Sequence, residues 1–575
     1  MEEIATDAIP RLIRRFCEEI LQKSGENAEE DLCTQAIPFD YTPPFQTAKP
    51  VGTGSREVLE DIDEELKVMT RACNYAVHAM VTYTSKVLNS VQARRNQHCP
   101  TYRLPNEIIT TIFHFARQCS LGSNDELLRS APVNLSQVSR WWRNIALSIP
   151  ALWTKIDSQN VILAELFAKR SKNELLDIDV NMGVSSTTYG LNSIRANHLM
   201  EFLTPHIDRW ESFVFCGNCE YYPLDSPAPN LQTLQLRADW NSQHAYFNMN
   251  IFSNHTPLLH NLKLSRFYLS LGAHLHAGLE ILHLHNTRIF GVPDEFAATS
   301  LAACPLLREL VLHDVRFNEI LDQALGDRPV PLRHLEVMRL KMDDQEIRSL
   351  IASVQMPSSL RFCITMDNNH LFIIFPLRQS LQKYPSNIAA IDTLSITADP
   401  TDEAGGVRAI GENSQNHMSL LELHFPEFHT QRDGVEIANI PAYFGPVMTL
   451  TTLLIHGTSD RVIMNEDAFN ILLSHSLALT TISLRSVPAA LVEVLVITYT
   501  TPYCPLLQSL HLQEVDLGMA DLTLRRLAES RRHLNIEGCR DLSRIEISNC
   551  RGVDEAMVVG LRGLSVEVIW DGEGS

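Results

Sequence analysis

Hydrophobic positions along the chain follow two periods, and the change from one to the other divides it. From Arg56 to about Asn96 there is no proline or glycine, and apolar residues return on a heptad: Leu59, Leu66, Cys73, Met80 and Val87 in one row, Ile62, Met69, Ala76 and Tyr83 in the other. This predicts one long helix over 56–98. The rows fit either a coiled-coil seam or the face by which a single helix lies on the next domain, since Cys, Ala and Tyr stand where a seam prefers Leu or Ile. Between Pro100 and Trp153 the period stays helical. Leu104, Ile108, Ile112 and Phe115 share a stripe with Ile109 and Phe113 beside it; after an insert containing Gly122-Ser123-Asn124-Asp125, a second stripe carries Leu135, Val138, Trp142, Ile145 and Ala146. Pro105 suits a helix start, where its missing N–H costs no intrahelical bond. Residues 1–55 combine a short amphipathic piece, Ile9 to Leu21, with a turn-rich linker through Tyr41-Thr42-Pro43-Pro44.

Beyond about Leu176 the period shortens to apolar-x-x-apolar-x-apolar. The phrase begins at Trp210, Leu231, Leu259, Leu279, Leu307, Leu332, Leu360, Ile391, Leu420, Leu450, Leu479, Leu507 and Leu542, with successive starts 20 to 35 residues apart. Leucines do not keep such spacing by chance, and the period is that of leucine-rich repeats. Each phrase is a strand whose leucines one repeat cannot bury, so neighbours stack and share a core. Helical pattern between phrases, as at Asp343 to Val354, Asn465 to Ser476 and Met519 to Ser530, completes an α/β reading: N-terminal helices, an all-α hairpin over 100–156, and a curved leucine-rich-repeat solenoid over 170–570. The phrase at Leu360 is the weakest, because Cys363 and Thr365 fill its later apolar positions, and it predicts a kink. Ile545 to Cys550 resembles the cysteine-containing type of repeat, which makes Cys550 structural.

Within each phrase, the residue between the last two apolar positions points away from the core, toward the concave face. Register alone therefore nominates Gln235, Lys263, His283, His424, Ser483 and His511 as target-facing, with His285, His313 and His456 two residues further on the same face. Polar strand positions at a protein-binding surface explain these histidines; a groove for a metal or an acidic ligand is the sharper alternative.

The helical block resembles the F-box, in the form found in basidiomycete-type fungal families of F-box proteins with repeat domains. Leu104-Pro105, Glu107-Ile108, Ile112-Phe113, Val138-Ser139, Trp142-Arg143, Ile145-Ala146, Pro150 and Leu152-Trp153 carry the resemblance. It implies docking on the Skp-type adaptor of the SCF ubiquitin ligase, while the downstream domain captures the protein to be modified. Leu104, Pro105, Ile108, Ile112, Phe113, Val138, Trp142 and Trp153 are then the candidate adaptor-binding residues, with Trp153 the one best suited to internal packing. A hairpin of ~50 residues with this much apolar surface is in any case small for a self-sufficient core.

Composition removes other classes. Asp and Glu number 68 against 48 Lys and Arg, a net charge of −20, and the densest basic runs are pairs such as Arg94-Arg95, so nucleic acid and anionic membrane are not expected partners. No apolar stretch reaches the ~18 residues of a membrane span. The acidic start Met1-Glu2-Glu3 is unlike a secretory signal, and the twelve scattered cysteines suit a reducing compartment, cytoplasm or nucleus. Phosphate-loop and nucleophile-elbow motifs are missing. Cys216-Gly217-Asn218-Cys219 has zinc-knuckle spacing, but no second pair follows it. The expectation is a non-enzyme without metal or cofactor: a substrate-recognition subunit of an SCF-type ligase, with an uncoupled repeat scaffold as the competing assignment.

Overall fold

A computed structural model describes residues 55–118, 131–158, 161–181, 189–217, 224–238, 245–246, 251–270, 278–318, 329–366, 374, 386–398, 406–426, 433–444, 450–458, 463–497, 503–518, 523–533 and 539–572, with Arg11 and Arg15. Ile9 to Leu21 as a whole, the linker, the insert after Gln118, Cys219, His274 and His276 lie outside them. The chain divides into two compact units, Met1–Ile149 and Pro150–Ser575.

The first unit is helical. Helix α1, Ser55–Gln97, runs 43 residues. Acidic residues near its start and Arg94 and Arg95 in its last turn complement its macrodipole. The chain itself covers Ala72, Ala76 and Ala79, of which Ala76 alone belongs to the predicted rows; of the other seam positions Met69 and Cys73 are half-buried, and Leu59, Leu66, Met80, Val87, Ile62 and Tyr83 are exposed. After a 3-10 turn, Pro100–Arg103, come α2 (Asn106–Gln118), α3 (Ala131–Val138) and α4 (Arg140–Ser148).

The second unit is mixed α/β, built on a sheet with twenty strands among the described residues. Its main ladder comprises β1 (Lys155–Asp157), β2 (Leu176–Asn181), β3 (Trp210–Cys216), β4 (Thr233–Arg237), β5 (Asn261–Ser265), β6 (Ile281–His285), β7 (Glu309–Phe317), β8 (Val337–Met342) and β9 (Arg361–Thr365). It continues with β10 (Thr393–Ala398), β11 (Val407–Asn413), β12 (Met418–Phe425), β13 (Thr452–His456), β14 (Thr481–Arg485), β15 (Ser509–Gln513), β16 (Arg544–Ser548) and β17 (Glu567–Trp570). From β1 to β9, and again from β13 to β17, each strand pairs in parallel with the next. Registered leucines stack into two buried rows: Leu234, Leu262, Leu282 and Leu310 in one, Leu236, Leu264, Leu284 and Leu312 in the other. Each such side chain contributes about 1.5–3 kcal/mol of apolar burial.

The turn after the strand also recurs. Arg266, Asn286, Asp314, Ser486, Glu514 and Asn549, each directly after its strand or the strand's outward row, take left-handed φ between 46° and 69°. At the matching place after β13 stands Gly457, where a Cβ would collide with the Ser486 carbonyl oxygen. Three helices between strands begin on side-chain caps: Asp343 accepts from the Gln345 N–H, Asn465 from Ala468 and Asp554 from Met557.

The order breaks once. β9 pairs with β12, and β10 with β13, while β11 lies between β10 and β12 and runs antiparallel to both. Gly411 permits this close approach, since a Cβ there would meet Ile391 Cδ1 at 2.9 Å. Buried Asn387 holds the junction, donating from Nδ2 to the carbonyls of Leu360 (2.9 Å) and Leu420 (2.8 Å).

Three predicted phrases slip here. The strand pair that matches Leu310 and Leu312 is Met338 and Leu340, so the phrase starts at Leu335 rather than Leu332. In β9 the buried pair is Phe362 and Ile364, and Cys363 faces outward; in β12 it is Leu421 and Leu423. Leu360 therefore heads no weak phrase. The irregularity it predicted is a change of strand order immediately after β9.

Candidate functional site

In the helical unit, α2 carries two apolar faces. Pro105 precedes the helix and its carbonyl accepts from the N–H groups of Ile108 and Ile109 at 3.1 and 3.2 Å. Ile109 and Phe113, four residues apart, are fully buried. Ile108, Ile112 and Phe115 lie on the neighbouring face and remain 47%, 40% and 59% exposed. Val138, at the end of α3, is 55% exposed.

The buried face is fixed by the second helical segment. Ser139 separates α3 from α4 in extended conformation, and its hydroxyl accepts the Trp142 N–H at 3.1 Å, an N-cap. Arg143 Nε donates to the Ser136 carbonyl at 2.8 Å and ties the two helices together. The Trp142 ring packs against Phe113 with centroids 5.1 Å apart, and Trp141 packs against Tyr102 at 4.6 Å. Leu104 and Trp142 are half-buried, and Pro105 is exposed.

Two of the candidate adaptor-binding residues are placed inside. Phe113 is fully buried against Trp142. Trp153 belongs to the second unit, buried edge-on to Phe167 at 5.1 Å with the Arg170 guanidinium 4.4 Å above its ring. Both owe their place to size: large aromatic rings are the cheapest way for short helices to close a core. Phe115, not nominated above, joins the exposed face. Its spacing of three from Ile112 and seven from Ile108 was a readable signal.

On the sheet, Gln235, Lys263 and His283 are consecutive register partners. Ser483 and His511 pair in the same way on β14 and β15. His424 does not occupy that row: Glu422 takes it opposite Cys363, and His424 lies two residues on, opposite Thr365. The buried pair in β12 sits two positions earlier than the phrase at Leu420 implies, which keeps His424 on the outward face but moves it out of that row.

The outward row around His283 is electrically dense. Arg339 Nη1 donates to Glu309 Oε1 at 2.6 Å, and His283 Nε2 lies 3.4 Å from the same oxygen. His285 and His313, partners on β6 and β7, have ring centroids 5.2 Å apart. Burial pushes all three imidazoles below their ordinary value, helped by Lys263 at His283 and His285 and by His285 at His313. They are therefore mainly neutral at pH 7. Beside the strand reversal, burial raises the Glu422 carboxyl, but Arg361, donating at 2.7 Å, and Arg408 outweigh it and hold it below the ordinary carboxylate value. On β15, His511 Nδ1 stands 3.2 Å from Glu546 Oε2, with Ser509 Oγ 2.9 Å from its other nitrogen. Among the described residues no three His, Cys, Asp or Glu side chains converge as metal ligands, and no helix is long and apolar enough to cross a membrane.

No curated protein sequence matches the chain. The family model described as F-box-like matches residues 101–159, which span α2, α3, α4 and the first strand of the sheet unit, so the chain carries an F-box-like segment.

Proposed function

We propose that the protein is the substrate-recognition subunit of an SCF-type ubiquitin ligase. F-box segments typically bind Skp-type adaptors, and in this chain the adaptor seat is the exposed face made by Pro105, Ile108, Ile112, Phe115 and Val138. The observation that carries the reading is the split of α2: one apolar face is consumed by Trp142 and the hairpin core, and the next is left to solvent inside the F-box-like segment. Exposed aliphatic and aromatic side chains clustered on a fixed backbone are what a partner uses as anchors. The sheet unit acts as a leucine-rich-repeat solenoid whose outward rows, including Gln235, Lys263, His283, Ser483 and His511, meet the target protein. Recurrent registered strands and the repeated left-handed turn support that part of the reading. The chain itself is non-catalytic; ubiquitin transfer belongs to other subunits.

The test is capture of a purified Skp-type adaptor by the full chain and by Ile108→Asp and Ile112→Asp variants. Each variant is expected to lose at least tenfold in affinity, with helical circular dichroism and melting temperature unchanged. Equal adaptor binding by all three proteins, or none by any, overturns the proposal.

A further inference from the structure

Helix α1 leaves a long apolar stripe uncovered. Leu59, Ile62, Leu66, Val77, Met80, Leu88 and Val91 are all exposed, and with half-buried Cys73 and exposed Thr70 and Thr84 they follow steps of three and four, one side of a helix about 65 Å long. The chain's own contacts use a different side, that of Ala72, Ala76 and Ala79.

The charge along α1 says what covers the stripe. Glu57, Glu60, Asp61, Asp63, Glu64 and Glu65 crowd its first turns; from Leu66 to Gln97 there is no acidic residue, and Lys67, Arg71, Lys86, Arg94 and Arg95 supply the charge. A parallel pair of such helices would stack the two acidic ends against each other. An antiparallel pair sets each acidic end against a basic one. The stripe is also self-complementary under that inversion. A two-fold axis at the level of Tyr75 places Leu59 opposite Val91, Ile62 opposite Leu88, Leu66 opposite Thr84, Thr70 opposite Met80 and Cys73 opposite Val77.

We infer that α1 is a homodimerisation element, pairing antiparallel with α1 of a second copy of this chain. The two-fold makes the interface isologous and closed, so it yields dimers rather than filaments. Acidic residues of one copy lie over the basic end of the other, which makes the association weaken as salt rises.

Sedimentation of the full chain at micromolar concentration should give a dimer, and Leu66→Asp with Met80→Asp should raise its dissociation constant at least tenfold while the helical signal is retained. Orientation is read by disulfide formation. A mixture of Leu59→Cys and Val91→Cys proteins should form a covalent dimer joined 59 to 91, and Leu59→Cys alone should not link through residue 59. A monomeric full chain, including one whose stripe is sheltered by its own Ile9 to Leu21 segment, overturns the inference. So does a 59-to-59 disulfide, which requires parallel helices.

Discussion

The helical unit and the sheet unit dispose of their hydrophobic residues in opposite ways. In the sheet, strand after strand places both leucines of its pair inside, as Leu282 and Leu284 or Leu310 and Leu312, and polar side chains outside. In α2 the buried pair Ile109 and Phe113 is complete, and Ile108, Ile112 and Phe115 are left over. Stacking explains the difference. A strand in a parallel array has a neighbour on each side with the same period, so every apolar position finds a registered partner, whereas three short helices have only one shared core and cannot enclose two faces of the same helix. A surplus that the fold itself cannot absorb is the mark of a second polypeptide.

The largest effect expected from breaking this contrast is within α2 itself. Phe113→Ala removes a fully buried ring that supports Trp142 and should cost about 3–5 kcal/mol in chemical denaturation. Ile112→Ala, one residue away on the exposed face, should stay within about 0.5 kcal/mol. Similar losses for both would mean that the exposed face is packed in solution and is no docking surface.

Where the strand order of the sheet unit changes, a buried polar side chain holds the junction. Asn387→Leu leaves the carbonyls of Leu360 and Leu420 without their shared donor at the junction of β9 and β12. Buried acceptors left unpaired cost about 1–3 kcal/mol each, so a loss of about 2–6 kcal/mol is expected. Native-state hydrogen exchange should show the protection of β12 falling more than that of β6; uniform loss across both strands would contradict a local junction.

The sheet unit also buries a titratable carboxyl. Glu346, almost wholly enclosed, accepts the Phe317 N–H at 2.7 Å, and burial lifts its carboxyl from 4.5 to about 7. Because the folded state holds this proton more tightly, the stability it contributes is complete below pH ~4.5 and is lost as pH rises through about 7. Glu346→Gln keeps an acceptor for Phe317 and removes the buried charge. Relative to wild type it should therefore gain about 1–2 kcal/mol at pH 8 compared with pH 5, less than the full shift implies because part of the change is already complete by pH 5 and residual solvent access screens the charge. Urea unfolding at the two pH values decides it; a constant difference would show that the carboxyl does not titrate in this window.

How far these places were legible in the sequence depends on how many registers a stretch of chain admits. At Leu279-Glu280-Ile281-Leu282-His283-Leu284 the polar residues leave a single way to bury the leucines, and the phrase read from the sequence is the phrase in the fold. Around Leu332, Leu335, Val337 and Met338 the apolar residues are dense enough to satisfy the template twice, and only pairing of Met338 with Leu310 selects one. The same ambiguity displaced His424 in favour of Glu422. Strand β11 carries no leucine phrase at all; its sign is the alternation Val407, Ala409, Gly411 followed by the turn residues Asn413-Ser414-Gln415-Asn416, a hairpin pattern that a search for one repeat passes over. In α2 the apolar stripe was legible but its division was not, since Phe113 and Ile112 look alike until Trp142 is seen to cover one and not the other.

The smallest expected effect lies on the outward row, where the contrast between inside and outside is least sharp. His285 and His313 face each other between Lys263, His283 and Asp314 on one side and Arg339 and Lys341 on the other, and their imidazoles are held below the ordinary value first by burial. The unfolded chain therefore binds these protons at a higher pH than the folded one. Stability from the pair is fully present above the unfolded value near 6.5 and declines as pH falls through the lowered folded values. Each ring is about half open to water, which screens the effect and keeps it under about 1 kcal/mol per residue. His313→Gln should accordingly leave stability unchanged at pH 8 and flatten its decline between pH 7 and pH 5 relative to wild type. Parallel profiles for the two proteins would place the imidazole in free solvent, and the outward face would then be as open at its centre as α2 is along Ile108 and Ile112.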